Sequence, residues 1–251
     1  GNKDNLSGLL NEGRFKFVQG DIANQEFVEK LFGQEKFDVV VNFAAETHVD
    51  RSIKTPRIFV ETNIVGTFNL LEATRQNGVG RYHQVSTDEV YGDLGTNSKD
   101  FFTETTPLAP NCPYAATKAS ADILVRSFFE TYKMPVTISR CSNNYGPYQF
   151  PEKLIPYFFR LLSENKKVPV YGDGQNVRDW LYVVDHCRAI DVILSKGRHG
   201  EVYNVGGNNE RTNLEITQAL LEFFGKDESQ IEHVEDRLAH DRRYAIDSTK
   251  L

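Results

Sequence analysis

No Cys-x-x-Cys pair and no His-Glu-x-x-His run occurs in this 251-residue chain, and no glycine-rich phosphate loop stands before Phe15. Cysteine is scarce: Cys112, Cys141 and Cys187 are scattered and odd in number. That excludes a disulfide framework and a structural zinc site. Cys112 borders the Tyr114 region described below, where a small buried apolar residue is expected. Long apolar runs are also lacking. None approaches the length that crosses a bilayer, and the first residues form no signal-peptide core, so a cytoplasmic protein is expected. Positive charge is in deficit, with 29 Lys+Arg against 35 Asp+Glu. A net charge of −6 argues against general affinity for nucleic acid or acidic membranes. Around Asp173-Gly174 the regular oxygen ligands of a calcium loop are missing, and no metal is expected. Repeats and low-complexity tracts are absent.

What is present is ordinary for a globular α/β chain: 39% hydrophobic and 25% charged residues, with strand-like and helix-like runs in alternation. Strands are predicted at 15–18, 37–43, 81–86, 135–140, 168–171, 181–183 and 202–205. Helices are predicted at 24–32, 56–77, 114–133, 151–165, 214–224 and from an Asp185 cap to Ser195. Residues 92–113 read as a long polar loop, a candidate flap over a site. Beyond Phe150 the alternation loosens, which marks a second, smaller lobe. Gly206-Gly207 reads as a turn.

Two stretches carry chemistry. Thr87-Asp88-Glu89 follows the apolar 81–86 strand, and open α/β sheets put ligands at strand ends. Tyr114 and Lys118 lie four apart, one turn along one helix face. A lysine there can lower the phenol pKa and make tyrosine a base. Taken singly, a Tyr/Lys pair also describes a solvated face, and paired acids also describe a helix N-terminus. Cys141-Ser142-Asn143-Asn144 repeats the pattern of a strand ending in ligand-type residues.

With STDEVYG and YAATK, the chain resembles the extended short-chain dehydrogenase/reductase family and, within it, the dTDP-glucose 4,6-dehydratases. The resemblance runs through GDIAN (20–24), NFAAETHVDRSI (42–53), RCSNNYGPYQFPEKLIP (140–156), GDGQNVRDWLYVVDH (172–186) and DRLAHDRRYAID (236–247). It implies a Rossmann-type doubly wound parallel sheet at 1–149 that binds NAD. A smaller α/β lobe at 150–251 would bind a nucleotide-sugar and cross back to the first domain. Relative to that family the first βαβ portion is missing from this sequence, and Leu251 falls where members continue, so the chain reads as a core fragment. The implied cofactor contacts are Asp21 and Ile22 at the adenine, with Ala44, Ala45, Thr47, Asn63, Asn143, Tyr114 and Lys118. Asp21 equally suits a cap for the 24–32 helix. His48 and Asp50-Arg51 read as packing and loop-bracing residues. Substrate contacts are implied for Thr47, Thr87, Asn144, Lys153, Leu154, Pro169, Tyr171, Arg178, Asn213, Arg237 and His240. Tyr171 can stack on a base, and the cations can pair with a diphosphate; read without the resemblance, Lys153 and Arg178 would be solvated. One departure stands out: Leu238-Ala239 replaces the family's Pro-Gly, which predicts an altered loop at Arg237 and His240.

The resemblance also implies a reaction. Tyr114, with Lys118 and Thr87, serves oxidation at C4; Glu89 is the base at C5 and Asp88 the acid at C6. Neighbouring carboxyls push their pKa values apart, so one acid and one base at the same pH is physically natural. The expected result is loss of water from dTDP-glucose, in the supply of deoxysugar precursors of the rhamnose type. Two alternatives stay open: a dehydratase or epimerase acting on UDP- or GDP-sugars, and a non-catalytic cofactor-binding module. Helices 56–77 and 114–133 pair across a homodimer in relatives, and a homodimer is expected by analogy.

Overall fold

The computed structural model describes residues 2–10, 12–96 and 98–251; Asn97, inside the expected 92–113 loop, lies outside the described residues. In chain order the first half holds α1 (Gln25–Gln34), β1 (Val39–Asn42), α2 (Val49–Lys54), α3 (Pro56–Phe59), α4 (Gly66–Gln76), β2 (Arg81–Thr87), α5 (Pro113–Tyr132) and β3 (Val136–Cys141). Then come β4 (Asn143–Tyr145), α6 (Leu154–Ser163), β5 (Val168–Tyr171), β6 (Val177–Tyr182), α7 (Val183–Lys196), β7 (Val202–Val205), β8 (Glu210–Thr212), α8 (Asn213–Phe223) and β9 (Ile231–Val234).

The central sheet is parallel, in the order β1-β2-β3-β7. Register sorts its side chains. Tyr82, Val136 and Ile138 share one face and pack with Leu71, Val125, Phe128 and Met134 from and beside α4 and α5. On the other face His83 lies beside Thr137 and Ser139, with ring nitrogens 2.8 Å and 3.0 Å from their hydroxyls. Tyr203 is on that face too and packs with Ile193 of α7 and Val205. Helices therefore cover both faces of the sheet, as expected of buried parallel strands. Arg81 ties β2 to α7 by donating to the carbonyls of Leu194, Ile193 and Gly197 at that helix's C-terminal end, where a cation is favoured.

Two smaller sheets, β4-β6-β8 and β5-β9, form the rest. Leu162, Val168, Val170 and Leu221 make the core between β5, α6 and α8.

The structure corrects several sequence readings. Residues 15–18 form no strand: they pair neither with the open edge of β1 nor with any other strand among the described residues, and an unpaired extended segment is marginal. The predicted 56–77 helix is interrupted by a π-turn at Val60–Val65. Asp185 does not cap α7, which starts directly from Tyr182 at the end of β6 with no side-chain cap. Asp21 is not the cap of α1 either: Asn24 is, accepting from Phe27 N, while Asp21 accepts from Ala23 N. The second strand of the lobe, β6, is longer than predicted and contains Arg178-Asp179-Trp180. The 92–113 loop is no free flap. Phe102 is buried and bridges Ile246, and the Arg243 guanidinium donates to the carbonyls of Ser98 and Asp100.

Candidate active site

β2 ends at Thr87, and the chain turns at once through a 3-10 turn, Asp88–Tyr91. The Thr87 hydroxyl accepts from Glu89 N at 3.3 Å and donates to Asp88 Oδ1 at 3.3 Å. Val90 and Tyr91 anchor the turn in a cluster with Phe102, Ala119, Tyr244 and Ile246. Both carboxylates are thereby folded inward. Asp88 is 1% exposed, and neither its Oδ2 nor Glu89 Oε2 has a hydrogen-bond partner among the described residues. Burying unpaired carboxyls is costly, and such groups mark candidate sites of chemistry.

α5 brings the second stretch to the same place. Pro113 fits its first turn, and Cys112 caps it by accepting from Ala115 N. Tyr114 and Lys118 are both buried against the β2 end, where Lys118 Nζ donates to the Val85 carbonyl at 2.7 Å. Asn63, aimed by the π-turn, accepts from Glu46 N at 2.8 Å and donates to the Glu46 carbonyl and to Thr117 Oγ1. It latches the loop after β1 to α5. Wide turns of this type recur at functional sites.

The electrostatics divide the two acids. Burial and then the neighbouring Glu89 push Asp88 up to about 8, with Arg178 and the Thr87 hydroxyl pulling it back. Burial also raises Glu89, but three cations, Arg237, Arg178 and Lys153, pull it down. Burial thus favours the protonated form of Asp88, and both acids face Arg178, with Arg237 and Lys153 added at Glu89. Tyr114 departs from expectation. Burial and Glu89 hold it well above the usual phenol value, partly offset by the Thr87 hydroxyl, and Lys118 does not bring it down. In the protein alone, Lys118 is engaged with the sheet backbone instead.

The cations come from the lobe. Arg178 is 5% exposed, in contrast to the solvated face that the bare sequence suggests. It stacks on Tyr244 at 4.3 Å and donates to the Asp241 carbonyl at 2.9 Å. Asp241 in turn accepts from Asn111 at 2.7 Å and from the Tyr244 hydroxyl. Lys153 Nζ donates to the Thr47 carbonyl at 3.1 Å. Arg237 Nε is buried with no partner among the described residues. Ala239 keeps the left-handed backbone, φ 50°, that a glycine would take, and Leu238 is 74% exposed. His240, driven down to about 4 by burial and then by Arg237, lies 2.6 Å from Asp236.

Both amide hydrogens of Asn144 go to Cys141 Sγ and the Ser142 carbonyl, and its Oδ1 lies 2.9 Å from His186 Nδ1. Leu154 opens α6 and packs on Phe158 and Leu162; Pro169 lies within β5, and Asn213 opens α8. Asp241, Tyr244 and His186 were missed from the sequence, where only the spacing of the DRRYAID stretch hinted at the first two.

A dinucleotide fits the remaining surface. The loop after β1 carries half-buried to exposed Ala44 and Ala45 with no bulk, tied down by Asn42 Oδ1 accepting from Ala44 N. Asn143 follows β3 at the neighbouring strand end. Asn69 fixes the carbonyls of Ile22 and Ala23. Gly66 admits the Ile22 side chain, which a Cβ there would meet at 2.6 Å. Asp21 is exposed beside it. Lys118 spends one of its three donors on Val85 and has the others for a ligand. The β2 end beside Tyr114 suits a reacting ring, whereas Asp21 and Ile22, expected at an adenine, follow a segment that forms no strand.

The family model described as GDP-mannose 4,6 dehydratase matches residues 1–251. The chain belongs to that family. Membership in the GDP-mannose 4,6 dehydratase family agrees with the resemblance read from the motifs. The Low-salt glycan biosynthesis protein Agl12 of Haloferax volcanii is 53% identical over 250 residues, covering 100% of this chain and 79% of that protein. The dTDP-glucose 4,6-dehydratase of Xanthomonas campestris pv. campestris is 52% identical over 269 residues, covering 100% and 76%. Among solved structures, DesIV of Streptomyces venezuelae, a dTDP-glucose 4,6-dehydratase with NAD and TYD bound, superposes with a TM-score of 0.95 at 47% identity, covering 100% of this chain and 76% of that one. The α/β fold with its parallel sheet is thus that of a Rossmann-type dehydratase.

Proposed function

We propose that the chain is a dTDP-glucose 4,6-dehydratase, a NAD-dependent lyase yielding dTDP-4-keto-6-deoxyglucose. The observation that carries this reading is buried Asp88 beside half-buried Glu89, each with one carboxyl oxygen that has no hydrogen-bond partner among the described residues, held beside Thr87, Tyr114 and Lys118. An enzyme that only oxidises and re-reduces one carbon has no use for two such acids. The dTDP-glucose 4,6-dehydratases at about half identity and the NAD-bound DesIV structure support the same reading.

Bound NAD supplies the two-electron acceptor that C4 oxidation needs and the donor that C6 needs afterwards. Tyr114 takes the C4 hydroxyl proton, with Thr87 hydrogen-bonding the same oxygen; for the phenol to act as a base, the Lys118 charge one turn away must offset the burial that raises its pKa in the protein alone. The resulting ketone acidifies the C5 proton, which the Glu89 carboxylate removes. Asp88, protonated at neutral pH, gives its proton to the C6 hydroxyl as it departs as water. Glu89 then returns a proton to C5. Arg178, Arg237 and Lys153, already facing Glu89, would hold the diphosphate. In this reading residues 1–149 hold NAD and residues 150–251 hold the nucleotide-sugar.

A homodimer belongs to the same proposal. Ile58, Val65 and Phe68 on the 56–76 helical stretch and Ile123 on α5 leave large apolar side chains 38–60% exposed, a patch that a second copy would cover. Unpaired Cys112, Cys141 and Cys187 suit a reducing compartment, the cytoplasm; no helix among the described residues is long and apolar enough to cross a membrane. The test is the mass of the product from dTDP-glucose. A sugar nucleotide lighter by one water supports the reading; an isomer of unchanged mass would move the chain to the epimerases.

A further inference from the structure

The short stretch 47–50 after β1 reaches across to the nucleotide lobe in three contacts: Lys153 Nζ to the Thr47 carbonyl at 3.1 Å, His48 Nε2 to Glu152 Oε2 at 3.8 Å, and the Tyr171 hydroxyl to Asp50 Oδ2 at 3.2 Å. The last is the most informative. Tyr171 ends β5 and is 39% exposed, so packing alone does not fix its ring. Its ring is met edge-on by His240 at 6.1 Å and 85°, and His240 is itself held by Asp236. The hydroxyl is held from the other domain by Asp50. A carboxylate in the first turn of α2 also suits the helix dipole, but that does not require a partner 121 residues away.

We propose that Asp50 is a positioning residue of the nucleotide half of the site, holding the Tyr171 hydroxyl so that the ring stands ready as a platform for the thymine base. This rests on the dTDP reading above. An aromatic side chain fixed before binding loses less rotamer freedom when a base stacks on it, which strengthens binding without touching the chemical step. The same contact registers the lobe that grips the nucleotide against the loop that precedes the reacting carbons, with Lys153 and Thr47 as a second tie.

The experiment measures dTDP affinity by calorimetry and steady-state kinetics on dTDP-glucose in the NAD-loaded enzyme. Asp50→Ala should weaken dTDP binding and raise KM by about tenfold, the scale of one hydrogen bond to a charged group, with kcat within about twofold. Tyr171→Phe should do the same, and the double variant should be no worse than either single one, because both remove one contact. Asp50→Asn, whose amide oxygen still accepts, should recover most of the loss. The proposal is overturned if Asp50→Ala binds dTDP like the wild type, if the double variant shows the product of the two single effects, or if kcat falls with KM unchanged. Wild-type enzyme that does not bind dTDP would sink the dTDP reading and this role with it, whereas wild-type binding with an indifferent Asp50→Ala sinks this role alone.

Discussion

Replacing Asp88 by asparagine should stabilise the protein as it disables it. Asp88 is 1% exposed, with Oδ2 unpartnered, and burial beside Glu89 pushes its pKa up to about 8. In the unfolded chain the same carboxyl titrates near 3.9, roughly the ordinary aspartate value. Between those two values the folded state holds a proton that the unfolded state has released. Stability therefore falls as pH rises, by about 1.4 kcal/mol per pH unit from about pH 4 to about pH 8, and the loss is complete above the folded value. Asparagine keeps an oxygen for the Thr87 hydroxyl and has no proton to lose. The variant should match the wild type near pH 4, exceed it by roughly 1.5 kcal/mol at pH 5 and by roughly 4 kcal/mol at pH 7. That is a large share of the roughly 5–15 kcal/mol that holds a typical domain together. Urea unfolding followed through the buried Trp180, with both proteins at each pH, reads the difference directly. Glu89 is coupled to Asp88, so the difference reads the Asp88 contribution together with that coupling. Parallel stability curves from pH 4 to 8 would refute the claim that Asp88 is held protonated by its surroundings.

Ala239 occupies a left-handed backbone position at φ 50°. Ala239→Gly should raise stability by roughly 0.5–1 kcal/mol, the relief of left-handed strain less the added freedom of the unfolded chain; an unchanged or lower urea midpoint would count against a strained turn there. Ile123 is 60% exposed in the middle of α5. Under the proposed homodimer, Ile123→Arg should convert the wild-type dimer to a monomer by light scattering, and a variant that stays dimeric would place the interface elsewhere.

Much of the site was legible because its parts are local. Tyr114 and Lys118 announce themselves by helical spacing, and Asp88-Glu89 by adjacency at a strand end. Arg178 shows where locality stops. Its neighbours suggested solvent, yet Tyr244 and the Asp241 carbonyl, more than sixty residues on, remove it from water. Asp50 was hidden in the same way, since its partner lies 121 residues away. The 15–18 stretch failed in the opposite sense: β-branched and aromatic composition favours a strand only where a neighbour completes the ladder, and among the described residues nothing pairs with it. Tyr114 shows a third limit. Spacing puts Lys118 within reach, but its ammonium donates a hydrogen bond to the Val85 carbonyl at 2.7 Å, and burial then raises the phenol's pKa. Competition among partners is a property of the folded site, which no spacing rule contains.

The central claim is that Glu89 moves the C5 proton while Asp88 serves the departing water. Turnover of dTDP-glucose in deuterated water, with the product's carbon-bound deuterium located by NMR, tests it most directly. Wild-type enzyme should give a 6-deoxy product with deuterium at C5, and Glu89→Gln should give neither water loss nor C5 deuterium while still binding dTDP. Normal turnover with C5 deuterium in Glu89→Gln would contradict the account.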